Sequence, residues 1–310
     1  MQNDVQNDSQ YDDEIDLREL FGVLWAGKVK IIAITAMFAV ASVIYALSVP
    51  NQYKATALLA PAQSDGGGLS GALGQLGGLA SLAGVSLGGG ESGEAQIAQE
   101  IMKSWSYIEG FIAGNNIAVE VYAAEGWSKG SNTLQINNDA YDVGANKWLV
   151  EDESGAIGAP SSWQLFESFS EMLSVSEDKK SGLVSVSIEY FSPQIAKQWV
   201  DMYVESINRF MQQRQIDKVT KNINYLQEQI EKTAIAEMQE VFYTIIEEQT
   251  KNKMLAEASP DYVFVAVGPS MVPELKSQPK RALICILGTL LGGMLSVLMV
   301  LIMQYAKKSD

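Results

Sequence analysis

Two uncharged apolar runs stand near opposite ends of this chain, and a long patterned stretch lies between them. The first run is Ile31 to Val49, and the second, Ala282 to Met303, holds only apolar residues, Gly, Ser and Thr. At about 1.5 Å per residue the second run makes a helix of ~33 Å, enough to cross a bilayer. The lead-in to the first run is long and acidic, and Pro50-Asn51-Gln52-Tyr53 has no small-residue cleavage signal. A retained span is therefore predicted, not a removed leader. Before it, Ile15, Leu17, Leu20, Leu24 and Trp25 recur at helical spacing, as in a short amphipathic helix. Arg18, Lys28 and Lys30 precede the first span and Lys54 follows it, which sets the N-terminus in the cytoplasm. Two spans then place both termini on one side.

Between the spans the period changes several times. Tyr53 to Ala60 alternates loosely and predicts a strand ending at Pro61. Gly66 to Gly90 carries eleven glycines and no charge, with Leu and Ala at a helix-like period. It is either a low-complexity loop or a segment ordered only against a neighbour. Ala95 to Ala113 predicts a helix stopped by Gly114-Asn115-Asn116. Strands are expected at Ile117 to Tyr122 and Trp148 to Val150, a short helix at Ser161 to Leu173, and a clear strand at Leu183 to Tyr190. Ser192-Pro193 then offers a helix start, with Ser as cap and Pro in the first turn.

No Gly or Pro occurs from Gln194 to Ser259. One helix over about 193–259 is expected, a rod of ~100 Å. Ile216, Val219, Ile223, Leu226 and Ile230 form its apolar stripe, which shifts phase at Ala234 to Met238 like a stutter. So narrow a stripe on so long a helix needs partners along its length. After Pro260, Tyr262 to Val267 predicts a returning strand, and Pro269, Pro273 and Pro279 predict an extended lead-in to the second span.

Composition narrows the chemistry. The net charge of −15 argues against nucleic acid as a partner. There is no histidine, and the single cysteine, Cys285, lies in the second span. Triad chemistry and His-ligated zinc are thereby excluded, and no G-x-x-x-x-G-K-[ST] loop occurs. No cofactor is expected, and no enzymatic activity. Trp105, Tyr107, Trp127 and Trp163 are candidates for stacking on sugars, with core packing as the alternative. Gly288, Gly292 and Gly293 leave a flat face for close helix packing, with Thr35 and Ala39 as the small residues facing them.

Pro273, then Gln278-Pro279-Lys280, then, after eleven intervening residues, Gly292-Gly293-Met294 resemble the second membrane segment of the polysaccharide co-polymerases. These are the Wzz-type chain-length determinants of bacterial O-antigen synthesis. Gln278 stands where that pattern usually has Ser, and Ser296 where a further Gly is common. The lead-in with Trp25 and Lys28 is similar to the family's cytoplasmic entry, and the order of elements follows the family over most of the chain.

The resemblance implies an α+β membrane protein of the bacterial inner membrane. A cytoplasmic tail (1–30), a first span (31–49), a periplasmic α+β domain (50–280), a second span (281–305) and a cytoplasmic tail (306–310) are expected. Strands near the membrane would carry one very long helix pointing away from it. The implied partners are further copies in a ring, an integral-membrane polysaccharide polymerase and a lipid-linked, undecaprenyl-type oligosaccharide. Lys276, Lys280 and Arg281 are candidates to hold the lipid pyrophosphate, or alternatively reach ordinary headgroups. The implied function is control of polysaccharide modal length by scaffolding. A periplasmic export or adaptor subunit is the alternative.

Overall fold

The computed structural model describes residues 22, 24–62, 92–151 and 155–309. The glycine-rich 66–90 segment and most of the amphipathic lead-in lie outside these. In chain order the elements are α1 (Lys28–Ser48), β1 (Tyr53–Pro61), α2 (Ser92–Lys103), α3 (Trp105–Asn115) and α4 (Ala118–Tyr122). Next come β2 (Ala124–Ser128), β3 (Thr133–Ile136), β4 (Tyr141–Asp142), β5 (Lys147–Trp148), β6 (Val150–Glu151) and β7 (Ile157–Gly158). The series ends with α5 (Ser162–Met172), β8 (Leu173–Glu177), β9 (Val184–Tyr190), α6 (Pro193–Lys232), α7 (Ala236–Ala258), β10 (Phe264–Gly268) and α8 (Arg281–Ser309).

The chain forms two units, one made of residues 1–50 with 278–310 and the other of residues 51–277. In the first, α1 packs against α8. Both helices are long and apolar enough to cross a membrane, with mean hydropathies of 2.2 and 2.4.

The second unit is built on an antiparallel sheet in the order β10-β1-β9-β8. Tyr53 pairs with Tyr190 and Leu59 with Val184, while Leu173 pairs with Ile188 across the other side of β9. Alternation sends Ala55, Ala57 and Leu59 of β1 and Val184, Val186 and Ile188 of β9 into the core. Against them lies the first half of α6, through Ala196, Trp199, Val200, Tyr203 and Ile207. Phe111, Phe169 and Tyr203 meet at ring-centroid distances of 4.7 to 5.6 Å and join α3, α5 and α6. Burial holds the Tyr203 hydroxyl well above the ordinary phenol range, so it stays a donor, to the Met102 carbonyl.

Three expectations are corrected. The helix over 95–113 is broken at Ser104, whose extended backbone caps the start of α3. The strand expected at 117–122 is the short helix α4. Asn116 takes a left-handed conformation (φ 53°) that ends α3, and the chain re-enters a helical turn that buries Ile117 and Val121 four residues apart. Burial of that pair outweighs the strand preference of β-branched side chains. The third correction concerns the single rod over 193–259, which is two helices. Thr233 and Ile235 are extended at φ −100° and −93°, and the chain reverses there, so α6 and α7 form an antiparallel hairpin. The phase shift at Ala234 to Met238, expected as a stutter, is this turn.

Ser192 caps α6 by accepting from the Ile195 N–H at 3.5 Å, with Pro193 in the first turn. Where α6 passes the sheet's edge, Asn208 is only 2% exposed. Its Oδ1 accepts from the N–H groups of Val263 (3.0 Å) and Phe264 (2.8 Å), and its Nδ2 donates to the Phe264 carbonyl at 2.8 Å. Thus Asn208 covers the open side of β10, an edge strand that otherwise presents unpaired backbone groups.

Truncation to Asn208→Ala removes three buried hydrogen bonds and strands their backbone partners. A loss of about 2–4 kcal/mol is expected. Denaturant unfolding of the detergent-solubilised protein measures it, with Gln213→Ala on the exposed face as the control that stays near wild type. An unchanged midpoint for Asn208→Ala would contradict this role for the amide.

Candidate functional site

Three features bear on function: the seam between the two apolar helices, the proline segment before α8, and the α6–α7 hairpin. The seam follows a ladder of small residues. A Cβ added at Gly288 would fall 2.5 Å from the Cβ of Ser42, and one at Gly292 would fall 2.4 Å from the Cβ of Phe38. Neither neighbour is the tip of a flexible chain, so a side chain at either glycine pushes the helices apart. Gly293 is less crowded, with Thr35 Oγ1 at 4.0 Å. One turn further, Ser296 is fully buried and its Oγ lies 3.3 Å from Thr35 Oγ1. It also donates to the Gly293 carbonyl at 2.7 Å.

The glycines therefore meet Phe38, Ser42 and Thr35, where Thr35 and Ala39 were expected. Phe38 and Ser42 are the residues sequence reasoning missed, while Ser296, noted above only as standing where a further Gly is common, continues the spacing of four from Gly288 and Gly292. Ser42 hides its hydroxyl by donating to the Ala39 carbonyl at 2.8 Å, so it presents mainly its Cβ to Gly288.

The segment carrying Pro269, Pro273 and Pro279 forms neither helix nor strand, apart from a single bridge at Gln278. In the second unit, Ser277 donates through both N–H (2.9 Å) and Oγ (3.0 Å) to the Gln52 carbonyl, fastening the segment beside β1. Lys276 is exposed and donates to Asn51 Oδ1 at 3.4 Å. In the first unit, Lys280 is exposed, while Arg281 donates from Nε to the Ala46 carbonyl at 3.0 Å. Arg281 thus spends one donor at the end of α1.

Along the hairpin, the expected stripe of Ile216, Val219, Ile223, Leu226 and Ile230 is half-buried or buried. On α7 the half-buried positions include Gln239, Phe242, Ile246, Gln249 and Lys253, again at spacings of three and four. The stripe's partner is the chain's own returning helix, where a neighbouring subunit was expected. Two glutamines set the register. Gln212 Nε2 donates to the carbonyls of Ala256 (2.8 Å) and Ser259 (3.0 Å), and Gln239 Nε2 to those of Ile230 (3.2 Å) and Thr233 (2.8 Å).

The four candidate sugar-stacking aromatics separate. Tyr107 is buried edge-on against Tyr203, and Trp127 packs edge-on to Tyr53. Trp105 and Trp163 stay 44% and 56% exposed, their indole N–H groups held by Ser162 Oγ and Glu167 Oε1.

Residues 13–114 match the family model of the chain length determinant protein, Wzz. This match bears out the resemblance and supports a role in regulating polysaccharide chain length. It covers the first apolar helix and β1 through α3, whereas the motif quoted from the second apolar helix lies outside it. Among solved structures, the chain is similar to a full-length bacterial polysaccharide co-polymerase at 14% identity and a TM-score of 0.40, covering 95% of this chain and 99% of that one. It is also similar to a fragment of WzzB, a polysaccharide co-polymerase from Salmonella Typhimurium, at 12% identity and a TM-score of 0.30, covering 74% and 100%. No curated protein matches the chain.

The seam makes a graded prediction. With Thr35→Cys and Ser296→Cys introduced in a Cys285→Ala background, oxidation in membranes should join the two helices efficiently. Adding Gly288→Leu or Gly292→Leu should largely abolish that crosslink, whereas Gly293→Ala should leave it near its starting yield. Equal yields in all of these variants would show that the helices do not meet along this ladder.

Proposed function

We propose that this chain sets the modal length of a surface polysaccharide, lipopolysaccharide O-antigen above all, as a homo-oligomeric scaffold beside a separate membrane polymerase. The match of residues 13–114 to the chain length determinant model carries this reading. It is supported by two apolar helices flanking a mixed α/β unit, and by a residue set without histidine or a nucleotide loop. In this reading both termini are cytoplasmic and residues between the spans are periplasmic, with the inner membrane crossed twice. The protein makes and breaks no glycosidic bond. It acts through its placement beside the polymerase and the lipid-linked, undecaprenyl-type oligosaccharide. Gly288, Gly292 and Gly293 hold the spans together, Pro269, Pro273 and Pro279 keep the approach extended, and Lys276 and Lys280 offer exposed cations to lipid phosphate. Arg281 contributes charge at the same end of α8.

Deleting the gene should leave polymer at the cell surface but replace a clustered length distribution with one falling steadily from short chains. A silver-stained gel of surface polysaccharide measures it, and restoring the gene should restore the cluster. Complete loss of polymer would instead favour an export subunit. Extension or cleavage of a lipid-linked oligosaccharide by the purified protein would overturn the scaffold reading.

A further inference from the structure

Residues 269–277, the strap that leaves β10, carry two large apolar side chains that their own unit leaves uncovered. Leu275 is 85% exposed and Met271 77%, more than any large apolar side chain described on α1 or α8. The backbone beneath them is clamped at both ends. Ser270, itself buried, donates from Oγ to Asp201 Oδ1 on α6, and Asp201 also pairs with Lys197. At the other end Ser277 makes its two bonds to the Gln52 carbonyl. Pro273 lies between the clamps and Pro269 just before them, each fixing φ and removing a backbone donor. The two prongs are thus held outward in advance, and little order remains to be imposed when a partner covers them.

Short tethers say what that partner is. Gln52 stands four residues past the end of α1 at Ser48, and Ser277 four residues before α8 begins at Arg281. Four residues of extended chain reach about 14 Å at most. No more chain than that separates the Ser277–Gln52 junction from either apolar helix, and Leu275 is two residues from the junction. The charges agree. In a chain of net charge −15, Lys54 and Lys276 beside this junction are both exposed. Lys54 stands across from Glu189 in the strand pair, and Glu274 is the exposed carboxylate between the prongs.

We propose that the strap is a lipid-binding surface, lying in the headgroup layer of a phospholipid bilayer. Met271 and Leu275 insert toward the acyl boundary, and Lys276 meets lipid phosphate. Insertion stays shallow for two reasons. Irregular backbone carries N–H and C=O groups that hydrocarbon cannot satisfy, and the Glu274 carboxylate must remain hydrated. The proposal rests on the reading that α1 and α8 cross the membrane. It adds a contact made by the second unit's own surface, so that this unit is moored on lipid and not merely tethered above it.

Spin labels at Met271→Cys and Leu275→Cys test this, in full-length Cys285→Ala protein held in nanodiscs of phosphatidylethanolamine and phosphatidylglycerol. Collision with oxygen and with a water-soluble nickel chelate separates lipid, water and protein surroundings. The reference is Lys179→Cys, exposed in the β8–β9 turn at the end of the sheet opposite Tyr53. Both prongs should show an oxygen-to-nickel ratio about fivefold above that reference. A label at Leu290→Cys reports α8 itself, and its ratio should be higher still. Lipid at Leu290 with a water-like ratio at the prongs would overturn the proposal and leave the crossing intact. Low access to both reagents at the prongs would show that a protein surface covers them, and would overturn it equally. Free nickel access at Leu290 would remove the membrane crossing, and the proposal with it. The readout is lipid contact alone, so it is separate from the polysaccharide gel that tests the functional reading.

Discussion

Asn208 sits where α6 leaves the sheet, and a single side-chain amide there meets two backbone N–H groups and a carbonyl of the returning chain. The departing helix and the last strand are tied at this point, after an excursion of more than fifty residues. Without it, β10 would add an edge to the sheet with buried polar groups facing apolar side chains, a cost of several hydrogen bonds. One turn on, Gln212 repeats the device against the end of α7. Between them the two amides fix where the hairpin begins and in which register it closes. Every placement along its length follows from that register.

The first unit solves a different problem. Two helices long and apolar enough to cross a bilayer would gain little there from burying apolar surface, so contact must come from close fit and matched polar groups. Gly288 and Gly292 supply the fit against Ser42 and Phe38, and the Thr35–Ser296 hydroxyls supply the polar match. Each serine or threonine hydroxyl along this seam has a partner, whether a carbonyl of its own helix or a hydroxyl across it. The seam is thus held by shape and satisfied hydrogen bonding.

Much of this was legible before any coordinates. The apolar runs, the strand at 184–190, the capped start at Ser192-Pro193 and the helix at 162–172 all announce themselves by period and cap chemistry. The turn at Thr233 to Ile235 did not, because it uses neither Gly nor Pro. Three non-helical residues, two of them β-branched and extended, reverse the chain with help from Gln239, and a phase shift in the apolar stripe was the trace they left. Asn208 was silent for a related reason. A polar residue within a helix looks solvent-facing until the fold brings a strand edge to it. In the seam, glycine signalled close approach but not the identity of the opposing residue, which depends on helix rotation that no local pattern encodes.

Beyond Gln212 the hairpin packs chiefly on itself, through a narrow seam on each helix. A structure of that kind has no preferred length. Inserting or removing one heptad from α6 and the matching heptad from α7 preserves the seam, the turn and both amide anchors while changing the reach by about 10 Å. The globular base would not register the change. Reach and foldability are therefore separable traits in this protein, and sequence drift in the hairpin can adjust the first without spending the second.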